Sequence, residues 1–180
     1  MRELSRTDLH LALDTCATAT GEREYIVVGA VSIVGPCAAP PPSLVMSADI
    51  DLFPLARESA EINAAIAARC GAGSEFEDEN GFYVEGVGRW TMLSALPGWE
   101  ERLVRVETPS AVVGWCLSAL DLAVVKLDAA REKDLHYVKE MLRAGIVRAE
   151  EILKATEACA PWFQAKIAGN LAPLEERTTD

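Results

Sequence analysis

The sequence predicts an α+β fold, a small mixed β-sheet flanked by helices with a helical C-terminal part. Three observations lead there. Short apolar runs ended by glycine or proline read as strands between residues about 25 and 107, and segments with apolar residues at helical spacing read as helices beside them. After Gly114 the chain reads as helical to near its end. With 180 residues, 50% of them hydrophobic, the chain can bury one substantial core. Residues 1–180 are therefore read as a single domain, with a sheet core over about 25–107 and C-terminal helices over about 118–160.

Taken in order, Ser5 caps a first helix whose apolar positions Leu9, Ala12, Leu13 and Cys16 follow the helical period, ending near Gly21. Residues 25–28 (YIVV) form a buried strand that stops at Gly29, where a tight turn opens the apolar segment AVSIV. The loop beyond contains Pro36, Pro40, Pro41 and Pro42, which exclude regular structure. In residues 48–53 (ADIDLF), Ile50 and Leu52 alternate with Asp49 and Asp51, the signature of a strand with one acidic face, and Pro54 ends it. An alanine-rich helix follows over about 58–69, closed by Gly71. The run Glu75, Glu77, Asp78 and Glu79 reads as a solvated loop. Residues 82–87 (FYVEGV) and 103–107 (LVRVE) are two more strands, separated by the turn at Pro97-Gly98. Ser118, with Asp121 three residues on, starts a helix; a second runs around 135–142, and a third over about 147–158 follows the break at Gly145.

Composition bounds the function. No apolar stretch of about 18 residues is present, so no membrane span is expected, and MRELSRTDLH lacks the apolar run of a secretory signal, which points to the cytoplasm. The five cysteines are scattered without paired spacing and suit reduced thiols, not disulfides. His10 and His136 are too few for a zinc site. A net charge of -11 repels a polyanion and argues against broad nucleic-acid binding. A small anionic substrate would need local cations or a metal.

The informative motif is SADIDLF. Residues two apart on a strand point the same way, so Asp49 and Asp51 project from one face, roughly 6 to 7 Å apart at the backbone. Either this is an ordinary polar face, or the two repelling carboxylates are relieved by a hard, oxygen-seeking cation such as Mg²⁺. Upstream, a buried strand ending at Gly29 and followed by a short helix-like turn leaves backbone N–H groups free to meet phosphate, with the Ser32 hydroxyl as a further donor. Lys126, Arg131 and Lys133 either reach phosphate from a helix behind the site or, interleaved with Asp128, Glu132 and Asp134, form a solvated helix of local ion pairs. Trp90, Trp99, Trp115 and Trp162 are not clustered in sequence, so packing is expected of them rather than a base-stacking platform.

The parts YIVVGA and SADIDL resemble the DNA polymerase β-type nucleotidyltransferase superfamily, whose pattern is a strand, a Gly-Ser or Gly-Gly turn, and a second strand carrying Asp-x-Asp. GSEFEDENGFYVEGV, LPGWEERLVRV and DLAVVKLDAAREKD further resemble a branch of minimal nucleotidyltransferase-like proteins found in bacterial toxin–antitoxin and abortive-infection systems. The resemblance implies a minimal nucleotidyltransferase fold. It also implies that two aspartates of one strand and a carboxylate of its neighbour hold Mg²⁺ or Mn²⁺, aligning a nucleoside triphosphate for attack by a hydroxyl of RNA or of a partner protein. Asp49 and Asp51 map onto that pattern directly. Glu85, which interrupts apolar residues in the centre of the next strand, is the favoured third carboxylate, with Glu107 as runner-up. Gly29, Ala30, Ser32 and Lys126 are the nucleotide-binding candidates. The turn reads Gly29-Ala30 where the family pattern has Gly-Ser or Gly-Gly, and no arginine precedes the acidic strand. A catalytically inactive module that binds a cognate toxin or antitoxin protein is therefore the alternative to an enzyme.

Overall fold

In the computed structural model, which describes residues 1–175, β1 (Arg2–Glu3) and α1 (Arg6–Thr20) lead into β2 (Glu24–Val28), a 3₁₀ turn (Ala30–Val34), α2 (Pro42–Val45), β3 (Met46–Ser47) and β4 (Asp49–Pro54). Next come α3 (Ala60–Cys70), α4 (Glu75–Asn80) and β5 (Tyr83–Gly86). Two 3₁₀ turns (Arg89–Met92 and Trp99–Arg102) precede β6 (Val104–Glu107) and β7 (Val113–Cys116). The helices α5 (Ala119–Ala129), α6 (Glu132–Arg143), α7 (Ala149–Thr156) and α8 (Pro161–Glu175) complete this mixed α+β architecture.

A strand with no polar face must be covered on both sides, and β2 obtains that cover by lying in the middle of a five-stranded sheet of order β5-β4-β2-β7-β6. It pairs antiparallel with β4, Val28 opposite Asp51, and parallel with β7. β4 pairs parallel with β5, which requires the chain to cross over between them, and α3 and α4 make that crossing. A second, two-stranded sheet joins β1 to β3. On β7, Gly114 leaves room for α1: an added Cβ would stand 2.8 Å from the Leu13 methyl. The sheet and the helices share one apolar core, in which Tyr25, Phe53 and Phe82 are among the largest wholly buried side chains. No helix among the described residues is long and apolar enough to cross a membrane. The Cys16 and Cys70 thiols approach to 3.8 Å where α1 meets α3, a sulfur contact and not a bond.

Several elements differ from the sequence reading for identifiable reasons. The acidic run is a helix, α4: Ser74 caps it and Phe76 is buried edge-on against Phe82 at 5.2 Å, leaving the carboxylates on the outer side. Pro42 stands at the first position of α2, where a missing N–H costs nothing, so the proline loop does contain one helical turn. The chain after Gly114, read as helical, first completes β7 (Val113–Cys116), because the helix starts only at the Ser118 cap. The stretch carrying Lys126 and Lys133 is two helices, broken at Ala130 in the left-handed region (φ 52°). The C-terminal helices extend past residue 160: α8 begins at Pro161 and buries Phe163, Ile167 and Leu171 at helical spacing.

One buried ion pair ties the Trp99–Arg102 turn to the start of α5. Asp121, 0% exposed, accepts from Arg102 Nε at 2.9 Å and Nη2 at 2.6 Å and also from the Ser118 hydroxyl. The two partners are unequal, since the Arg102 side chain is 37% exposed. Replacing Arg102 with leucine strands a buried carboxylate and should lower stability by about 3 kcal/mol. Asp121→Asn keeps an oxygen for Arg102 and Ser118 and should lose only about 1 kcal/mol. Urea-unfolding midpoints measure both; equal losses would contradict this asymmetry.

Candidate metal centre

The register of β4 and β5 builds the centre. Asp49 lies opposite Tyr83 and Asp51 opposite Glu85, so two polar rungs stack on one sheet face while Ile50, Leu52 and Val84 point into the core on the other. One carboxylate oxygen from each of Asp49, Asp51 and Glu85 lies within 4.8 Å of the others, the two aspartates half-buried and the glutamate exposed. Asp49 is held by the Ser47 hydroxyl, which donates to Oδ1 at 2.7 Å, and by the Tyr83 hydroxyl, which donates to Oδ2 at 3.5 Å. Glu107 is not part of this group: it lies on β6, at the far edge of the sheet, and pairs with Arg105.

Gly29 closes the centre from the side. Its φ of 67° is in the region that favours glycine, and a Cβ there would collide with Asp51 Oδ2, so only this residue lets the backbone run against the carboxylate. The 3₁₀ turn that follows is fixed by Tyr137, whose hydroxyl donates to the Ala30 carbonyl at 2.8 Å. Ala30 and Ser32 do not line the cleft above the carboxylates. Ser32 is wholly buried with its hydroxyl unpartnered.

The cleft has a volume of about 450 Å³ and is lined by Gly29, Asp51, Glu85, Trp90, Lys126 and Arg131 among others. Its electrostatics follow from burial and crowding. Burial pushes the Asp51 carboxyl up to about 6, and the negative charges of Asp49 and Glu85 push in the same direction against Lys126 and Lys133. Burial also lowers the Lys126 ammonium from its ordinary value. Lys126, its side chain 12% exposed, lies 3.3 Å from Asp134 Oδ1 and 4.2 Å from the centre of the Tyr137 ring. Arg131 donates to both oxygens of Asp134, at 2.5 and 3.3 Å. Of the two readings of this basic stretch, ion pairing describes the contacts, yet the same pairs hold Lys126 and Arg131 on the wall of the cleft.

The structure therefore brings Asp49, Asp51, Glu85, Gly29 and Lys126 together, and leaves Ala30 and Ser32 behind the turn. Sequence reasoning missed Ser47 and Tyr83, and assigned Trp90 to packing. Ser47 and Tyr83 carried a signal, since each stands two residues before a site carboxylate and shares its face. Asp134, read as a local ion-pair partner along one helix, does pair with Arg131 and reaches Lys126 across the turn between α5 and α6.

Oxygen donors of this kind, three carboxylates with no sulfur or imidazole among them, suit a hard divalent cation. The sequence model of a family described as a nucleotidyltransferase of unknown function (DUF6036) matches residues 7–166. No curated protein and no solved structure matches the chain.

Crowding at Asp51 has a measurable consequence for the metal-free protein. Its carboxyl titrates near 6 when folded and near 3.8 when unfolded, so the folded state holds the extra proton between those values. The associated stability is present below about pH 4 and is lost as pH rises through about 6. Asp51→Asn should therefore stabilise the metal-free protein at pH 7.5, by on the order of 1 to 2 kcal/mol, and flatten the fall in stability between pH 4 and 6. Denaturant midpoints across that range, with and without chelator, provide the check.

Proposed function

Because the chain belongs to this nucleotidyltransferase family, we propose that it transfers a nucleotide monophosphate from a nucleoside triphosphate to a hydroxyl of RNA or of a partner protein. The observation that carries this reading is the convergence of Asp49, Asp51 and Glu85 from two parallel strands, with Asp51 directly against the backbone of Gly29 and Asp51 and Glu85 lining one cleft. Mg²⁺ or Mn²⁺ bound by these carboxylates supplies charge neutralisation of the triphosphate and alignment of the attacking and leaving oxygens. The protein's own part is to keep the ligands in place before the nucleotide arrives. Ser47 and Tyr83 orient Asp49, and the backbone at Gly29 confines Asp51. Lys126 and Arg131, held by Asp134, present positive charge to the phosphates, and the apolar wall of Val87, Leu122 and Val125 keeps water from the reacting centre.

The setting we propose is a bacterial toxin–antitoxin-type system, on the resemblance of the segments around α4, the 3₁₀ turn at Trp99–Arg102 and α5. A second reading is supported by the turn itself. Ala30 offers no hydroxyl and the Ser32 hydroxyl is buried away from the cleft, so the phosphate-binding turn lacks a side-chain donor. A module that binds metal and nucleotide, or a toxin or antitoxin partner, without transfer would have this form.

Titration calorimetry separates these readings. Triphosphate binding should depend on Mg²⁺ or Mn²⁺, and the Asp49→Asn, Asp51→Asn double variant should lose at least about tenfold in that affinity, roughly 1.4 kcal/mol. Unchanged binding in the double variant would overturn the metal centre. Metal-dependent binding by the parent with no transfer to cellular RNA or protein, followed by mass spectrometry, favours the non-catalytic module.

A further inference from the structure

We infer that Trp90 is the platform on which the base of the bound nucleotide stacks, an inference that rests on the nucleotide reading of the cleft. An indole left in water forfeits a large hydrophobic gain, and a chain exposes one at a site of contact more readily than elsewhere. Trp90 is 70% exposed, whereas Trp99, nine residues further along the same connection, is 7% exposed.

Trp90 is exposed without being loose. It belongs to the 3₁₀ turn Arg89–Met92, whose start is held by the Arg89 N–H donating to Glu58 Oε1 at 2.6 Å. The Thr91 N–H and hydroxyl both donate to the Gly88 carbonyl, at 3.0 and 2.8 Å. The Arg89 guanidinium is anchored over the Phe53 and Trp99 rings and 3.6 Å from Glu100. The indole lies against Gly88: a Cβ there would stand 2.5 Å from Trp90 Nε1 and would meet Cδ1 as well. One edge is thus seated on backbone, while the ring remains open to the cleft that contains Asp51, Glu85, Gly29 and Lys126.

A ligand that satisfies the whole cleft must join a strongly anionic group, suited to the metal centre and to Lys126 and Arg131, to a flat unsaturated ring suited to the indole. A nucleoside triphosphate has both parts. Glu85 and Trp90 lie within one short segment at the end of β5, so the platform stands beside the carboxylates, and Thr91 and Ser94 line the same cleft. Stacking on a π-face accepts any base, so binding should discriminate little among the four nucleotides.

The test compares nucleoside triphosphates with inorganic tripolyphosphate, which has the phosphates and no base, by calorimetry in Mg²⁺. The parent protein should bind ATP about tenfold more tightly than tripolyphosphate. Trp90→Ala should remove that difference while leaving tripolyphosphate affinity intact, and Trp90→Phe should retain most of it. Gly88→Ala, which dislodges the indole without deleting it, should behave like Trp90→Ala. Equal affinity of the parent for ATP and tripolyphosphate, or an equal loss of both in Trp90→Ala, overturns the base platform and leaves the metal centre standing. Absence of metal-dependent tripolyphosphate binding in the parent overturns the nucleotide reading, and the platform with it.

Discussion

Like charge held close together is the constraint on which this molecule is organised. Asp49, Asp51 and Glu85 bring carboxylate oxygens within 4.8 Å of one another on a half-buried sheet face. Nothing in elementary folding energetics favours such an arrangement: burial raises the proton affinity of Asp51, and the charges of Asp49 and Glu85 add to the effect. The surroundings tolerate it through dedicated devices. Hydroxyls of Ser47 and Tyr83 donate to Asp49, a glycine replaces any side chain beside Asp51, and the charges of Lys126 and Lys133 oppose that of Asp51. A fold that accepts this strain locally and gains its stability elsewhere has the form expected of a functional site.

The stability comes from the sheet's central strand and from the buried ion pairs at the two ends of α5. β2 contributes four buried residues in succession and bonds to strands on both sides, so it fixes where β4 and β7 lie. Asp121 and Asp134 are both almost wholly buried, and both are matched by arginine. Asp121 fastens the start of α5 to the Trp99–Arg102 turn; Asp134 fastens the start of α6 to Lys126 near the end of α5. Together they set both ends of the helix that forms one wall of the cleft.

How much of this was legible in the sequence depends on the range of the signal. Alternation in ADIDLF gave the acidic face of β4 because strand periodicity is a two-residue property. The interruption of FYVEGV by Glu85 pointed to the third carboxylate for the same reason. Elements that failed did so where tertiary contact overrode composition: α4 forms because Phe76 finds Phe82, although five of its six residues are polar, and β7 forms because β2 offers an edge. Spacing alone reads Trp90 as packing, and Asp134 as an ion-pair partner but not as part of the cleft wall. Their roles depend on backbone approaches, at Gly88 and across the α5–α6 turn, that no spacing records.

The position of β2 also carries a kinetic meaning. It must pair with β4, about 25 residues on, and with β7, nearly ninety residues from it, while the β4–β5 pairing that assembles the carboxylates waits on a helical crossover. Contacts between distant segments carry a loop-closure penalty before they contribute any gain, and chains dominated by them fold slowly. The two aspartates are neighbours in any extended chain, whereas Glu85 joins them only through the β4–β5 pairing, so the full repulsion among the three is felt only when the rest of the sheet is present to withstand it.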